Sequence, residues 1–260
     1  MSPEAPNQPS FLRPSLSRVP WSRFTVAPWL LSLGVLAILA AARYYAVLGP
    51  PRARILFLLH CLVMWALPFI LLTPLGRRKI GLSKKGNTAP ALAFSALAGA
   101  GCGLAVFAIG MALYGASPDN WNLSIRDSFR MSEMLAVMPP AAAFAVIALP
   151  ALILTPIGEE ILFRGLIQQA FTSRWNATLA TLVNGLSFGL MHLHVHGLWQ
   201  DAAGFHLRIV SGTLMVLLLA GASAVFTLCR LRTGSLWMAM IAHAACNLAM
   251  IAAVFFHYLH

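Results

Sequence analysis

The chain has 260 residues, of which 59% are hydrophobic and only 10% are charged. A water-soluble domain usually contains about 25% charged residues, so the composition excludes an ordinary soluble globular protein. The net charge of +11 does not indicate nucleic-acid binding, because the basic residues lie between apolar runs and form no basic helix face interleaved with aromatic residues. The composition therefore predicts a protein of the lipid bilayer.

Three apolar runs follow a polar tail formed by residues 1–24. A helix needs about 20 apolar residues to cross the hydrocarbon core of a membrane. The first span combines Val26–Ala42 with Tyr44–Leu48, and the next two are Ile55–Leu75 and Ala89–Tyr114. These spans and the polar loop after them form a predicted N-terminal part, residues 25–134. Within it, Ser124–Val137 is predicted to form an amphipathic helix at the membrane surface.

The second predicted part, residues 135–260, begins with an apolar stretch that is too long for one span. Leu135–Phe171 would measure about 55 Å as a single helix, and several prolines offer points at which it can break. Three further spans follow at Ala177–Met191, Ile209–Leu228 and Leu236–Phe256. We therefore predict an all-α polytopic transmembrane bundle of seven spans, or eight if Leu135–Leu149 inserts separately.

The distribution of basic residues predicts the orientation of the bundle. With the N-terminus inside, the inner segments carry Arg13, Arg18, Arg23, Arg77, Arg78, Lys79, Lys84, Lys85, Arg174, Arg230 and Arg232. The outer segments carry Arg43, Arg52, Arg54, Arg126, Arg130 and Arg208. Because cytoplasmic loops are enriched in Lys and Arg, this bias favours a cytoplasmic N-terminus.

Two adjacent glutamates lie inside an apolar helix, where ionisable groups are costly and indicate function. Arg164 follows Glu160 by four residues, so these two side chains share a helix face and can neutralise each other. Glu159 lies about 100° around the helix and has no partner on it. As the carboxylate without its own cation, Glu159 is the better candidate for a general base. The simpler interpretation is a structural charge cluster between helices.

Two later spans also carry isolated polar residues. Phe188 and His192 share one helix face, as do His243 and Asn247, and an amide or imidazole at membrane depth can stabilise an oxyanion. Counted from the predicted lower ends of the helices, Glu159 and His192 lie roughly 22 Å up, His243 roughly 15 Å and Asn247 roughly 21 Å. One polar pocket is therefore expected, although a polar zipper between helices is the structural alternative.

At these motifs the sequence resembles the CPBP family, which comprises type II CAAX prenyl endopeptidases and bacteriocin-processing enzymes and is also called the Abi family. The family's Glu-Glu-x-x-x-Arg, Phe-x-x-x-His and His-x-x-x-Asn motifs read here as Glu159–Arg164, Phe188–His192 and His243–Asn247. The resemblance covers roughly Pro150 to Phe255. The three motifs occur in the family's order, on separate predicted helices.

The resemblance implies an endopeptidase that acts in or near the bilayer. Glu159 would activate a water with help from His192, and His243 with Asn247 would stabilise the oxyanion. Glu160, Arg164 and Phe188 would support the site. The expected partners are a membrane protein or peptide as substrate and the lipid bilayer, in a bacterial inner membrane. No cofactor is expected; a zinc ion is the alternative, although one carboxylate with two histidines makes a sparse zinc site.

Two other functions fit the same pocket. A non-enzymatic binding or immunity factor would use the polar layer without requiring a carboxylate at position 159. A metal-dependent hydrolase or metal carrier would use His192, His194, His196 and His206. For His194 and His196 we favour a structural role, because they lie beside Gly197 and a polar turn.

Overall fold

The computed structural model describes residues 18, 28–83, 85–172, 175–201 and 203–259, and most of them are helical. Apart from Arg18, the predicted polar tail lies outside the described residues. Within the described part, six helical stretches are long and apolar enough to cross a membrane. The predicted all-α polytopic bundle is therefore confirmed.

The described helices of the first part include three long ones and three short ones. Their bounds are α1 Pro28–Leu48, α2 Ile55–Leu71, α3 Pro74–Lys79, α4 Ala89–Tyr114, α5 Trp121–Ser128 and α6 Met131–Val137. A 3₁₀ turn, Pro51–Arg54, joins α1 to α2. The predicted surface helix Ser124–Val137 is divided into α5 and α6, because Arg130 between them has a left-handed backbone with φ of 51°.

The second part contains the remaining helices and one hairpin. Their bounds are α7 Pro140–Glu160, a π-helix Ile161–Ile167, α8 Gln168–Thr172, α9 Ala177–Met191, α10 Leu193–His196, strands β1 Leu198–Asp201 and β2 Gly204–Leu207, α11 Ile209–Thr233 and α12 Leu236–Leu259. The two strands pair antiparallel, with Leu198 opposite Leu207.

The helices of this part differ from the predicted seven or eight spans in two ways. Pro140–Thr172 is one continuous helical stretch of 33 residues, which passes Pro150 and Pro156 without a break. A separate eighth span at Leu135–Leu149 is therefore wrong. The predicted span Ala177–Met191 forms α9 with those bounds, but its 15 residues fall short of the length that crosses a bilayer alone.

Close backbone contacts fix how the long helices pack. A Cβ atom added to Gly99 of α4 would meet the backbone of Ala242 on α12, and one added to Gly103 would meet Cys246. Residue numbers increase by four on both helices from the first contact to the second, so α4 and α12 run parallel. Small residues allow this close approach of membrane helices. Helix α9 packs antiparallel on α11, with Gly185 against Ala220 and Gly189 against Val216.

Candidate active site

The two adjacent glutamates are buried at the end of α7, where the chain enters the π-helix. Glu159 and Glu160 are both 0% exposed, and every residue of the π-helix is buried. A π-helical turn changes the angular spacing of successive side chains, and such turns occur often at functional sites. Here the neighbouring carboxylates point to different partners, so they have different chemical surroundings.

Glu159 contacts residues from three other helices. Its Oε1 atom pairs with Nη1 of Arg43, from α1. Its Oε2 atom lies 3.5 Å from Nε2 of His192 and 3.9 Å from Nε2 of His243. Among the described residues, no protein group donates a hydrogen bond to this Oε2 atom. The two oxygens of one carboxylate thus have separate surroundings, one bound to a cation and one directed towards two imidazoles.

The tautomer of His192 follows from its second ring nitrogen. Nδ1 lies 2.8 Å from the carbonyl oxygen of Phe188, which only accepts hydrogen bonds, so Nδ1 carries the proton and donates it. In the neutral ring, Nε2 then holds a lone pair. That atom lies 3.4 Å from Nη2 of Arg43 and faces Glu159. A hydrogen bond to the backbone is a common way to fix the orientation of a functional imidazole.

Glu160 forms a second charged network on the other side of the helix. Its Oε1 atom accepts from Nη1 of Arg164 at 2.9 Å and from Nδ1 of His243 at 2.8 Å. Arg164 is 0% exposed, and its Nη2 atom donates to the carbonyl oxygen of Ser223. Because Glu160 is paired with Arg164, it accepts rather than donates, and Nδ1 of His243 carries the proton.

Aromatic rings enclose these charges. The Arg164 guanidinium lies 4.7 Å from the centre of the Phe188 ring and 5.3 Å from that of Phe226. The Phe226 ring also stacks on His243 at 4.9 Å. Phe188 therefore supports both networks, because its carbonyl orients His192 and its ring covers Arg164. We define the polar layer as Arg43, Glu159, Glu160, Arg164, His192 and His243.

A cavity of about 530 Å³ borders the polar layer. Its walls are mainly apolar, and the polar side chains of Arg43, His192, His243 and Asn247 reach it. The Asn247 amide donates one N–H to the carbonyl oxygen of Ala151 at 2.9 Å. An amide nitrogen has two N–H groups, so a second donor remains available. The cavity extends to residues of α5 and to the segment between α5 and α6.

The structure thus brings the predicted residues together. The expected layer of Glu159, His192 and His243 is formed, with Asn247 one helical turn beyond His243 on the cavity wall. The interpretation that Glu159 has no cation is wrong, because Arg43 pairs with it from α1. The sequence-based prediction assigned Arg43 to the charges of the outer segments. A single arginine inside an apolar span, however, indicates a buried acidic partner.

Without Arg43, five basic residues remain in the outer segments, so the predicted orientation keeps its basis. The orientation itself stays a prediction.

His194 lies beside the polar layer, with its ring centre 6.3 Å from that of His192, whereas His196 and His206 have other partners. His196 lies between the hydroxyl groups of Ser124 and Ser211, at 2.7 and 2.8 Å. His206 stacks on Trp199 in the hairpin, and His194 contacts the carbonyl oxygen of Met191 at 2.9 Å. In the described part of the chain, His, Cys, Asp and Glu side chains form no group of three that could hold a metal ion.

Comparisons with known proteins agree with the motifs. A family model described as type II CAAX prenyl endopeptidase Rce1-like matches residues 141–249. Comparison with curated proteins and with solved structures found no match. The matched segment contains all three motifs, so the resemblance predicted from them is confirmed. Over the matched segment the chain is similar to membrane proteases of the CAAX type, and its six long apolar helices indicate an integral membrane protein.

Proposed function

We propose that this protein is an intramembrane endopeptidase that hydrolyses a peptide bond with a water molecule activated by Glu159. The observation that carries the proposal is the position of Glu159 Oε2, which is buried and faces two imidazoles that themselves line a mainly apolar cavity. Buried polar atoms nearly always have a hydrogen-bond partner, and water serves where the protein supplies none. A water between Oε2 and the two Nε2 atoms has two protons, so it can donate to Oε2 and to one of the two imidazoles.

Such a water would be positioned for nucleophilic attack. It would donate one proton to Glu159 Oε2 and the other to the lone pair of His192 Nε2, leaving an oxygen lone pair directed at the substrate. When this oxygen bonds to the scissile carbonyl carbon, Glu159 takes the proton from it. General-base assistance of this kind contributes roughly 10²–10⁴-fold to a rate.

His243 and Asn247 are suited to stabilise the oxyanion that forms next. Asn247 keeps one N–H beyond its bond to Ala151. A His243 ring that carries a proton on each nitrogen donates from Nδ1 to Glu160 and from Nε2 towards the cavity that it lines. The tetrahedral intermediate then collapses as the C–N bond breaks, and Glu159 returns its proton to the leaving amine. Proton and electron balance is complete without a further reactant.

The substrate that suits this site is a membrane-associated protein or peptide. The cavity walls are mainly apolar, so an extended apolar segment can be buried beside the polar layer. The matched family is named for prenylated CAAX proteins. For this chain we propose the wider class, such as a protein-sorting signal or the leader of a secreted peptide, in a bacterial inner membrane with the N-terminus cytoplasmic.

The test compares protein termini in membranes of source cells that lack the protein and receive either wild type or Glu159→Gln. The substitution keeps the size of the side chain and removes the base, so we expect new termini with wild type and a loss of roughly 10²–10⁴-fold with the variant. Glu133→Gln is the matched control, because the Glu133 side chain is exposed and pairs with Arg130 rather than with a residue of the polar layer. It should behave as wild type.

Three outcomes would contradict the proposal. If wild type generates no new termini, the alternative of a non-enzymatic binding or immunity factor gains support. If Glu159→Gln cleaves as well as wild type, Glu159 has a structural role. A third comparison uses purified wild type and the identified substrate, with and without a strong chelator. Loss of cleavage with chelator alone would favour the metal-dependent hydrolase.

A further inference from the structure

We propose that Arg43, on α1, is a positioning residue for the general base. It holds Oε1 of Glu159 so that Oε2 faces His192 and His243. Arg43 precedes Glu159 by 116 residues and lies outside the segment that matches the family model. This inference rests on the proposed function, because it assigns Arg43 a part in preparing the same carboxylate for catalysis.

Charge balance in the polar layer favours this role for Arg43. The layer holds two carboxylates, Glu159 and Glu160, and only one cation, Arg164, comes from the matched segment. Arg43 supplies the second cation and makes the layer neutral when both histidines are uncharged. A charge buried at membrane depth is costly unless it is paired, so Arg43 offsets the cost of an ionised Glu159.

The geometry of the ion pair between Arg43 and Glu159 also favours this role. A guanidinium can bind both oxygens of a carboxylate, but Arg43 pairs only with Oε1 of Glu159. Its other terminal nitrogen, Nη2, lies 3.4 Å from Nε2 of His192. The single arginine therefore contacts both the base and the imidazole that assists it. This arrangement fixes the carboxylate while leaving Oε2 available for a proton.

Arg43 is itself held in place by neighbouring residues. It is only 5% exposed, and its guanidinium lies 5.4 Å from the centre of the Phe57 ring on α2. The next residue, Tyr44, donates a hydrogen bond to the carbonyl oxygen of Leu190 at 2.6 Å. Leu190 precedes His192 near the end of α9. The bond therefore fixes the position of Arg43 along α1 relative to His192.

The depth of Arg43 agrees with this role. Counted from the start of α1, Arg43 lies roughly 22 Å along its helix, and Glu159 lies roughly 20 Å from the end of α8. Arg43, the buried cation of α1, therefore lies at about the same depth in the membrane as the Glu159 carboxylate. The N-terminal part of the chain is then required for chemistry and not only for anchoring in the membrane.

The kinetic test uses the substrate identified by its new termini and compares Arg43→Met, Arg43→Lys and wild type in detergent. We expect kcat of Arg43→Met to fall by about 10²-fold with little change in KM, because the base is misplaced but the cavity remains. Lysine keeps the charge without the planar fork, so Arg43→Lys should recover part of the lost kcat. Arg52→Met, at an exposed position of the 3₁₀ turn, is the matched control and should retain wild-type kcat.

Wild-type or faster cleavage by Arg43→Met would overturn the proposal, and so would an Arg43→Lys variant that is no better than Arg43→Met. Thermal unfolding midpoints of Arg43→Met, Glu159→Gln and the double variant give a readout that needs no substrate. If Arg43 and Glu159 are coupled, the midpoint of the double variant should fall by clearly less than the sum of the two falls seen in the single variants. Additive shifts would contradict the ion pair, whereas an inactive wild type with coupled midpoints would contradict only the proposed function.

Discussion

The helices before residue 140 and those after it contribute differently to the site. Helices α7 and α12 and the residue that follows α9 supply both carboxylates, both histidines and Asn247, whereas the earlier helices supply Arg43 and the small-residue surface of α4. The residues to which we assign a role in cleavage thus come mainly from one half of the chain, and charge balance and helix spacing come in part from the other. The matched residues 141–249 therefore contain the proposed reactive groups but not all of their support.

The largest effect should come from breaking the charge network within the second half. Arg164→Met leaves Glu160 buried with only His243 as its partner, and removing one member of a buried ion pair typically costs about 3–5 kcal/mol. We therefore expect a large fall in the thermal unfolding midpoint in detergent. The double variant Glu160→Gln/Arg164→Met should recover much of this loss, because no unpaired charge remains.

Arg126→Met is the control for that measurement. Arg126 forms an ion pair with Asp127 at 2.8 Å, but both side chains are partly or largely exposed. Exposed ion pairs contribute about 0–1 kcal/mol, so the midpoint should hardly change. Equal shifts for Arg164→Met and Arg126→Met would show that the Glu160 network is not a stabilising element of the layer.

The next effect should come from the first half, at the contact of α4 with α12. A Cβ atom on Gly99 would lie 2.6 Å from the carbonyl carbon and 2.8 Å from Cα of Ala242, so Gly99→Ala must separate the two helices. Overpacking of this kind costs about 1–3 kcal/mol. Because His243 is the next residue on α12, we expect a lower unfolding midpoint together with slower cleavage.

Gly101→Ala provides a matched control on the same helix. A Cβ atom there meets nothing within 4 Å, and alanine favours helix more than glycine does. Its midpoint should equal or exceed that of wild type. If Gly99→Ala has the same unfolding midpoint and cleavage rate as Gly101→Ala, the close approach of α4 does not set the position of α12. The first half of the chain would then not contribute helix spacing to the site.

These contrasts also explain how far the sequence alone could lead. Hydropathy predicted the bundle, because residues that face lipid must be apolar wherever the chain crosses. Helical spacing and depth predicted that Glu159, His192 and His243 would meet. The pairing of Arg43 could not be derived from spacing, because it joins helices far apart in sequence. The continuous stretch through Pro150 and Pro156 was also missed, since neighbouring helices can satisfy backbone groups that proline leaves unpaired.

The smallest effect is expected where the two halves meet outside the polar layer, at His196. This residue bridges Ser124 of α5 and Ser211 of α11, and α10 lies outside the six long apolar helices. Burial, with a smaller effect of Arg208, lowers the pKa of His196 from 6.5 to about 4, against an opposing effect of Asp119. The folded state therefore favours the neutral ring, and the unfolded state binds the proton more readily.

Stability from His196 is consequently present above pH 6.5 and is lost as the pH falls towards 4. We expect the unfolding midpoint of wild type to drop across this range by on the order of 2–4 °C more than that of His196→Asn. His257→Asn, at an exposed position of α12, should keep the wild-type slope. Identical slopes for wild type and His196→Asn would show that the bridge between α5 and α11 does not depend on a neutral imidazole.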